Sequence, residues 1–277
     1  MRIRVIDAFT DRPFAGNPAA VCLLDGPAWP DATWMQQVAA EMNLAETAFA
    51  LPDTGAGADW GLRWFTPAVE VALCGHATLA TAHALRADGL LTGRVRFATR
   101  SGVLTAEALD EGSITLDFPA AILTPIDPPE GLAEVLGAPV IAAFDTGALG
   151  DLLVEVADEA AVRGLRPDFS RVAGLPYRGI IVTAAGDKAA GSGGSDYVSR
   201  FFGPSVGIAE DPVTGSAHTA LAPLWSARLG RDSLVGLQVS ARSGIVRTRL
   251  AGVRVLLTGY AVTTLEATLV HAPALAA

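Results

Sequence analysis

Two passages of this 277-residue chain run the same course: an extended segment passes a Phe and a Pro and ends at a Gly that opens an apolar, Ala-rich helical run. One is Phe65-Thr66-Pro67 leading to Cys74-Gly75-His76-Ala77, the other Phe202-Gly203-Pro204 leading to Thr214-Gly215-Ser216-Ala217. Phe to Gly spans ten positions in the first and thirteen in the second, and the runs Ala77 to Leu85 and Ala217 to Leu229 match in character. An internal repeat of this kind points to two similar half-domains, each ending a strand or loop at a helix N-terminus. Such a terminus offers unpaired backbone N–H groups and a positive dipole end, so two of them facing one cleft would hold a small anion such as a carboxylate.

Bulk properties narrow the partner. A net charge of −9 argues against a nucleic-acid partner, which needs a basic surface. Hydrophobic residues make up 51% and charged residues 18%, yet polar residues interrupt every apolar stretch before it reaches the roughly 18 residues of a membrane span. The opening Met1-Arg2-Ile3-Arg4-Val5-Ile6 alternates like a strand and lacks the core of a signal peptide, so a cytoplasmic protein is expected. Two cysteines, Cys22 and Cys74, make no disulfide framework, and with four scattered histidines they offer no zinc spacing; no metal is expected.

Period-2 segments dominate. Arg2 to Phe9 and Ala19 to Leu24 read as a strand pair around a Pro/Gly/Asn-rich turn, and Asp31 as the N-cap of a helix through Glu41. In Glu46 to Leu51, Glu46, Ala48 and Ala50 share one strand face and Thr47, Phe49 and Leu51 the other. Leu62 to Phe65 is a strand, Gly75 to Leu85 a helix, and Val95 to Ala98, Gly102 to Ala108 and Ser113 to Phe118 a meander. Pro119 to Pro129 reads as the link to the second half. Helices are expected at Gly131 to Leu136, Glu159 to Leu165 and Gly215 to Leu229. Strands are expected at Ala142 to Asp145, Leu152 to Val156, Gly179 to Thr183, Tyr197 to Phe202, Leu237 to Ser240, Val246 to Leu250, Val253 to Thr258 and Ala261 to Val270. Gly186 to Asp196, with Gly191-Ser192-Gly193-Gly194-Ser195, reads as a loop. The run Ala77 to Leu85 is apolar nearly all round, as in a helix buried inside a curved sheet. The expected fold is therefore α+β, with half-domains 1–118 and 119–262.

These residues resemble the PhzF-like isomerases of phenazine biosynthesis, within the diaminopimelate epimerase fold. The matching stretches are Asp7-Ala8-Phe9-Thr10 with Gly16-Asn17-Pro18-Ala19-Ala20-Val21, Asn43 to Phe49, Leu62 to Pro67, Leu73 to Thr78, and Arg200 to Pro204 with Glu210 to His218. They stand in family order to about Leu229. The resemblance implies two pseudo-symmetric half-domains, each a curved, barrel-like mixed sheet around a central helix, an active site in the cleft between them, a chain end (about 263–277) that returns to the first half, and a homodimer.

It also implies site roles. Glu46 matches the family's catalytic carboxylate, which takes a proton from carbon and returns it elsewhere on the same substrate; burial among apolar neighbours would raise its pKa toward neutrality. His76 takes a hydrogen-bonding or proton-relaying role, and its place at a helix N-terminus favours the neutral ring. Asp211 matches a second carboxylate that pairs with the polar end of the substrate or shares a proton with His76. Gly75, Thr214, Gly215 and Ser216 hold the substrate carboxylate, although Ser216 also reads as a plain helix-capping group. His83 reads as a core or surface residue, and His218 as packed or interfacial rather than catalytic.

Cys74 marks a departure. In diaminopimelate epimerases a Cys here and another at the second helix start act as opposed bases, but Asp211 to Gly215 contains no cysteine. Cys74 then reads as a small buried residue, and a single base at Glu46 suits a proton shift on one substrate face. The implied activity is an isomerase independent of pyridoxal phosphate, metal or other cofactors, acting on a trans-2,3-dihydro-3-hydroxyanthranilate-like or another small carboxylate. Two alternatives remain: an amino-acid epimerase or racemase pairing Glu46 with Asp211 or Cys74, and a non-catalytic small-molecule-binding protein on the same fold.

Overall fold

A computed structural model describes residues 1–52, 57–187 and 194–271. In chain order the elements are β1 (Arg2–Ala8), β2 (Asn17–Leu23), α1 (Ala32–Met42), β3 (Glu46–Pro52), β4 (Trp60–Phe65), β5 (Glu70–Val71), α2 (Gly75–Ala87), β6 (Arg94–Thr99), β7 (Gly102–Ala108) and β8 (Ile114–Pro119). There follow β9 (Thr124–Ile126), α3 (Leu132–Leu136), β10 (Val140–Asp145), β11 (Asp151–Val156), α4 (Glu159–Gly164), α5 (Phe169–Ala173), β12 (Gly179–Ala185), β13 (Tyr197–Gly203) and β14 (Ile208–Asp211). The last are α6 (Gly215–Leu229), β15 (Ser233–Gln238), β16 (Gly244–Ala251), β17 (Arg254–Gly259) and β18 (Ala261–Thr268). They fall into two units, one of Met1–Asp117 with the chain from Thr258 on, the other Phe118–Leu257.

In the first unit the strands run β18-β1-β2-β3-β4-β6-β7-β8, with β5 folded back on β4. The sheet is mixed: β2 with β3 and β4 with β6 are parallel, the other pairs antiparallel. Helix α2 packs against β1, β2, β3, β18 and also β7, so the sheet must curve around it. That close approach depends on small side chains: Ala77, Ala80, Ala82 and Ala84 are all buried on α2. The period-2 reading of β3 holds. Phe49 and Leu51 pack outward against Met35 and Val38 of α1, which leaves Glu46 on the face toward α2. Asp31 caps α1 through the Thr33 backbone N–H.

The second unit repeats the plan. Its strands run β9-β10-β11-β12-β13-β15-β16, with β14 on β13 and parallel pairs at β11/β12 and β13/β15. Leu153, Ile181, Tyr197 and Phe201 meet α6 on one face, and their neighbours Leu152, Val154, Ile180 and Val182 meet α3, α4 and α5 on the other. A side-chain device recurs as well. Arg63 forks onto Glu70 at 2.8 and 2.9 Å beneath Phe65, and Arg200 forks onto Glu210 at 2.7 and 2.8 Å beneath Phe202. Each bidentate pair pins the strand that carries the repeat's Phe to the short strand leading toward the glycine-led helix.

Three expectations need correction. The strand expected at Leu237 to Ser240 is Ser233–Gln238, because the Ser240 hydroxyl turns away to donate to the Pro212 carbonyl. The proline-rich link contains β9, a three-residue edge strand where Pro125 lies opposite Phe144 and its missing N–H costs nothing on the free edge. The short elements β5, β14 and α5 carried no pattern long enough to detect. Of the glycine-rich loop expected at Gly186 to Asp196, residues 188–193 lie outside the described residues, as do 272–277 of the expected returning end. No helix among the described residues is long and apolar enough to cross a membrane.

Candidate active site

The first unit brings three strand and helix starts to one point. Asn17 opens β2, Glu46 opens β3 and Gly75 opens α2; β2 and β3 are parallel neighbours, so their N-terminal ends lie side by side. Gly16 makes the turn into β2. Its φ is +65°, and a Cβ there would lie 2.2 Å from the Ala8 carbonyl oxygen. Only glycine fits both conditions.

Glu46 and His76 meet, a pairing that the resemblance did not specify, since it gave His76 a role at the substrate and proton sharing with Asp211. Glu46 Oε2 lies 3.2 Å from His76 Nε2, with both side chains nearly enclosed. Burial pushes the His76 pKa down to about 3, so the ring is neutral at physiological pH. Its neutrality follows from desolvation more than from the helix end. The other ring nitrogen, Nδ1, is hydrogen-bonded to Asn17 Nδ2 at 3.2 Å and lies 3.5 Å from Cys74 Sγ. Cys74 is the N-cap residue of α2, buried as expected, and both cysteines are free thiols. It is also a neighbour of the imidazole, which a reading as inert filler did not include.

Glu46, Cys74 and His76 offer one ligand atom each within 4.8 Å of one another, the one such acid–thiol–imidazole group among the described residues. The sequence spacing did not announce it. The imidazole meets the carboxylate with one nitrogen and the thiol with the other.

The second unit gathers Asp211, Thr214, Gly215 and Ser216 at the start of α6. Asp211 ends β14, is buried, and accepts a 2.5 Å hydrogen bond from the Thr214 hydroxyl. Gln238, fully buried at the end of β15, locks this turn: its carbonyl accepts from Thr214 N at 2.8 Å, and its amide donates to the Asp211 carbonyl and the Thr214 hydroxyl. Ser216 does not cap the helix. Thr214 is the N-cap residue, and the Ser216 hydroxyl accepts from Arg178 at 3.2 Å. Arg178 is itself forked onto Asp151 at 3.0 and 2.6 Å. Asp151 is fully buried, which pushes its pKa up to about 6 despite the guanidinium. His218 is fully buried and hydrogen-bonded to the Tyr197 hydroxyl, a packing role as expected; His83 meets the Thr263 hydroxyl.

Sequence reasoning left out Asn17, Gln238, Arg178 and Asp151. Asn17 stood inside a stretch that carried the resemblance and was passed over as turn chemistry. The others lie 24 to 38 positions from the residues they hold, with no motif around them.

The sequence matches the phenazine biosynthesis-like protein family (PhzC-PhzF) over residues 6–267. It is 48% identical over 266 residues to an uncharacterized isomerase of Pseudomonas aeruginosa, covering 95% of this chain and 96% of that one. The structure is similar to the crystal structure of a phenazine biosynthesis PhzF-family protein from Enterococcus faecalis, with a TM-score of 0.88, 38% identity, and coverage of 97% of this chain and 99% of that one. A hydroxyproline epimerase from Agrobacterium vitis shares the fold at a TM-score of 0.62 and 14% identity, over 96% of this chain and 91% of that one. With its duplicated plan of curved sheet around a glycine-led helix, and with likeness over nearly its whole length, this chain belongs to the PhzF family of phenazine biosynthesis-like isomerases.

Proposed function

We propose that this isomerase shifts a proton within a small carboxylate-bearing substrate, with Glu46 as the carrier. The observation that carries the reading is the enclosed contact between Glu46 and a neutral His76 at the start of α2. In the first step the Glu46 carboxylate takes the proton of a C–H bond, and the electron pair left behind delocalises toward the substrate carboxylate as an enolate. In the second step the Glu46 carboxylic acid, whose proton exchanges in part with solvent, delivers a proton to another carbon of the conjugated system. Glu46 ends as it began, the double bond has moved, and no redox partner or cofactor enters. His76 is proposed to hydrogen-bond within this exchange. The backbone at Gly75 and Gly215, with Thr214 and Ser216, is proposed to bind the carboxylate and stabilise charge on the enolate, with Asp211 holding the polar end of the substrate.

The Cys74 thiol, 3.5 Å from the His76 ring, favours a second reading in which Cys74 supplies an opposed base and the enzyme epimerises an α-carbon. One experiment separates the two. Exchange of solvent deuterium would be followed by NMR into trans-2,3-dihydro-3-hydroxyanthranilate and a panel of small unsaturated and amino carboxylic acids. The one-base scheme expects Glu46→Gln to abolish exchange, Cys74→Ala to retain it, Ser216→Ala to raise KM, and every stereocentre to keep its configuration. Loss of exchange in Cys74→Ala with inversion in the parent would establish the two-base reading. Full exchange in Glu46→Gln would overturn both.

A further inference from the structure

Asn17 is fully buried and hydrogen-bonded to the ring that faces Glu46, yet the scheme above gives it no part. We propose that Asn17 is a positioning residue: its side-chain amide donates to His76 Nδ1 and thereby fixes the neutral imidazole as the tautomer that carries its proton on Nε2, toward Glu46. Its catalytic meaning rests on the reading of Glu46 as the proton carrier, whereas the ring assignment itself does not.

One neighbour selects the tautomer and the other two are compatible with it. The nitrogen of an amide side chain can only donate, so the Nδ1 atom 3.2 Å from Asn17 Nδ2 must present a lone pair. Cys74 Sγ lies 3.5 Å from the same Nδ1, and a thiol, a weak donor and a weak acceptor, fits either tautomer. On the far side of the ring Nε2 is 3.2 Å from Glu46 Oε2, a contact without hydrogen-bond geometry in which an ionised carboxylate favours an N–H over a lone pair by charge. Because burial keeps the ring neutral, there is one proton to place, and the Asn17 donor on one side with the Glu46 charge on the other places it on Nε2.

The alternative tautomer would aim the Nε2 lone pair at the carboxylate. Relief of that repulsion would require Glu46 to be protonated, and a protonated Glu46 is no longer a base. The amide must therefore be held firmly, and its setting is rigid. Gly16 turns the chain at a conformation closed to other residues, Phe14 N–H donates to the buried Asp7 carboxylate at 2.7 Å, and Asn17 itself pairs with Ala8 across β1 and β2.

Nitrogen-15 spectra of the imidazole rings test the assignment on the resting protein without ligand. The His76 signals are identified by their loss in His76→Gln. Expected in the parent are a pyridine-like Nδ1 and a pyrrole-like Nε2. In Asn17→Asp, where the donor becomes an acceptor, the pattern should invert or turn cationic, and in Asn17→Leu the Nδ1 signal should shift with loss of its hydrogen bond. A parent ring protonated on Nδ1 overturns the proposal, as does an unchanged His76 spectrum in Asn17→Asp; the parent spectrum decides even where a variant fails to fold. For the catalytic meaning, exchange into trans-2,3-dihydro-3-hydroxyanthranilate should fall about 100-fold or more in kcat for folded Asn17→Asp, as expected when a catalytic histidine is held in the wrong tautomer, with KM little changed. An inverted ring with full kcat would overturn the positioning role. A parent that shows the expected ring but no Glu46-dependent exchange would count against the proton-shift scheme and leave the ring assignment standing.

Discussion

His76 and His218 occupy the first turns of equivalent helices, and both are held neutral by burial, with pKa values pushed down to about 3. They differ in what they face. His76 looks toward a carboxylate and a thiol, while His218 Nδ1 meets the Tyr197 hydroxyl at 2.8 Å inside an aromatic layer where Tyr197 stacks on Trp225. The second ring is therefore a stability element, and its pH dependence has a definite sign. Between pH 6.5, the ordinary histidine value, and about 3, the unfolded chain binds a proton that the folded chain refuses. The stability from a neutral His218 is thus complete above pH 6.5 and is lost as the pH falls toward 3, by about 1.4 kcal/mol per pH unit. Asp151 works the other way between its ordinary 3.8 and about 6, since the folded state there keeps a proton that the unfolded state releases. It is common to parent and variant, as is His76, and cancels in a comparison. His218→Gln, which keeps a partner for Tyr197 but does not titrate, should lose less stability than the parent between pH 7 and pH 5, by about 2 kcal/mol in urea unfolding. Parallel pH profiles would show that His218 already shares the solvent protonation equilibrium when folded.

At the scale of elements, the site in the first unit depends on one turn. Gly16 combines a left-handed backbone with a 2.2 Å approach to the Ala8 carbonyl, whereas Gly89 has φ +71° with nothing within 4 Å of an added Cβ. Gly89→Ala carries only the left-handed cost, about 1 kcal/mol. Gly16→Ala must also move the backbone of β1 or β2, and should cost at least about 3 kcal/mol and displace Asn17. Thermal unfolding of the two variants checks the contrast; equal losses would mean that the loop from Asp11 to Gly16 yields easily. This turn also shows where sequence legibility ends. The repeated Phe, Pro and Gly marked both helix starts because glycine and proline act locally, and the alternation of β3 placed Glu46 on the correct face because strand side chains alternate by geometry alone. The Arg63–Glu70 and Arg200–Glu210 forks belong to the same repeat but escaped notice, since an ion pair seven or ten positions apart has no period to reveal it.

Across the whole molecule, long-range pairing is what the sequence could least disclose. Gln238 clamps a turn 24 positions away, and β18 completes a sheet begun by β1 some 260 residues earlier. The two units are built differently in this respect. Residues 118–257 are one continuous stretch with apolar cores on both faces of their sheet. The first unit needs both ends of the chain: β1 is flanked by β2 and β18, and the buried Arg4 guanidinium is shared between Asp88 and Glu266, the latter at 2.8 Å. A fragment of residues 1–117 would expose β1 as an unpaired edge and leave Arg4 with one carboxylate fewer, both of which favour aggregation over folding. A fragment of residues 118–257 keeps its central helix and its outer helices. It is expected to show a dispersed proton–nitrogen NMR spectrum and a single cooperative urea transition, while 1–117 is expected to aggregate or remain undispersed. A dispersed spectrum from 1–117 would mean that β18 only covers a unit already folded. Loss of cooperativity in 118–257 would mean that its cores depend on the rest of the chain.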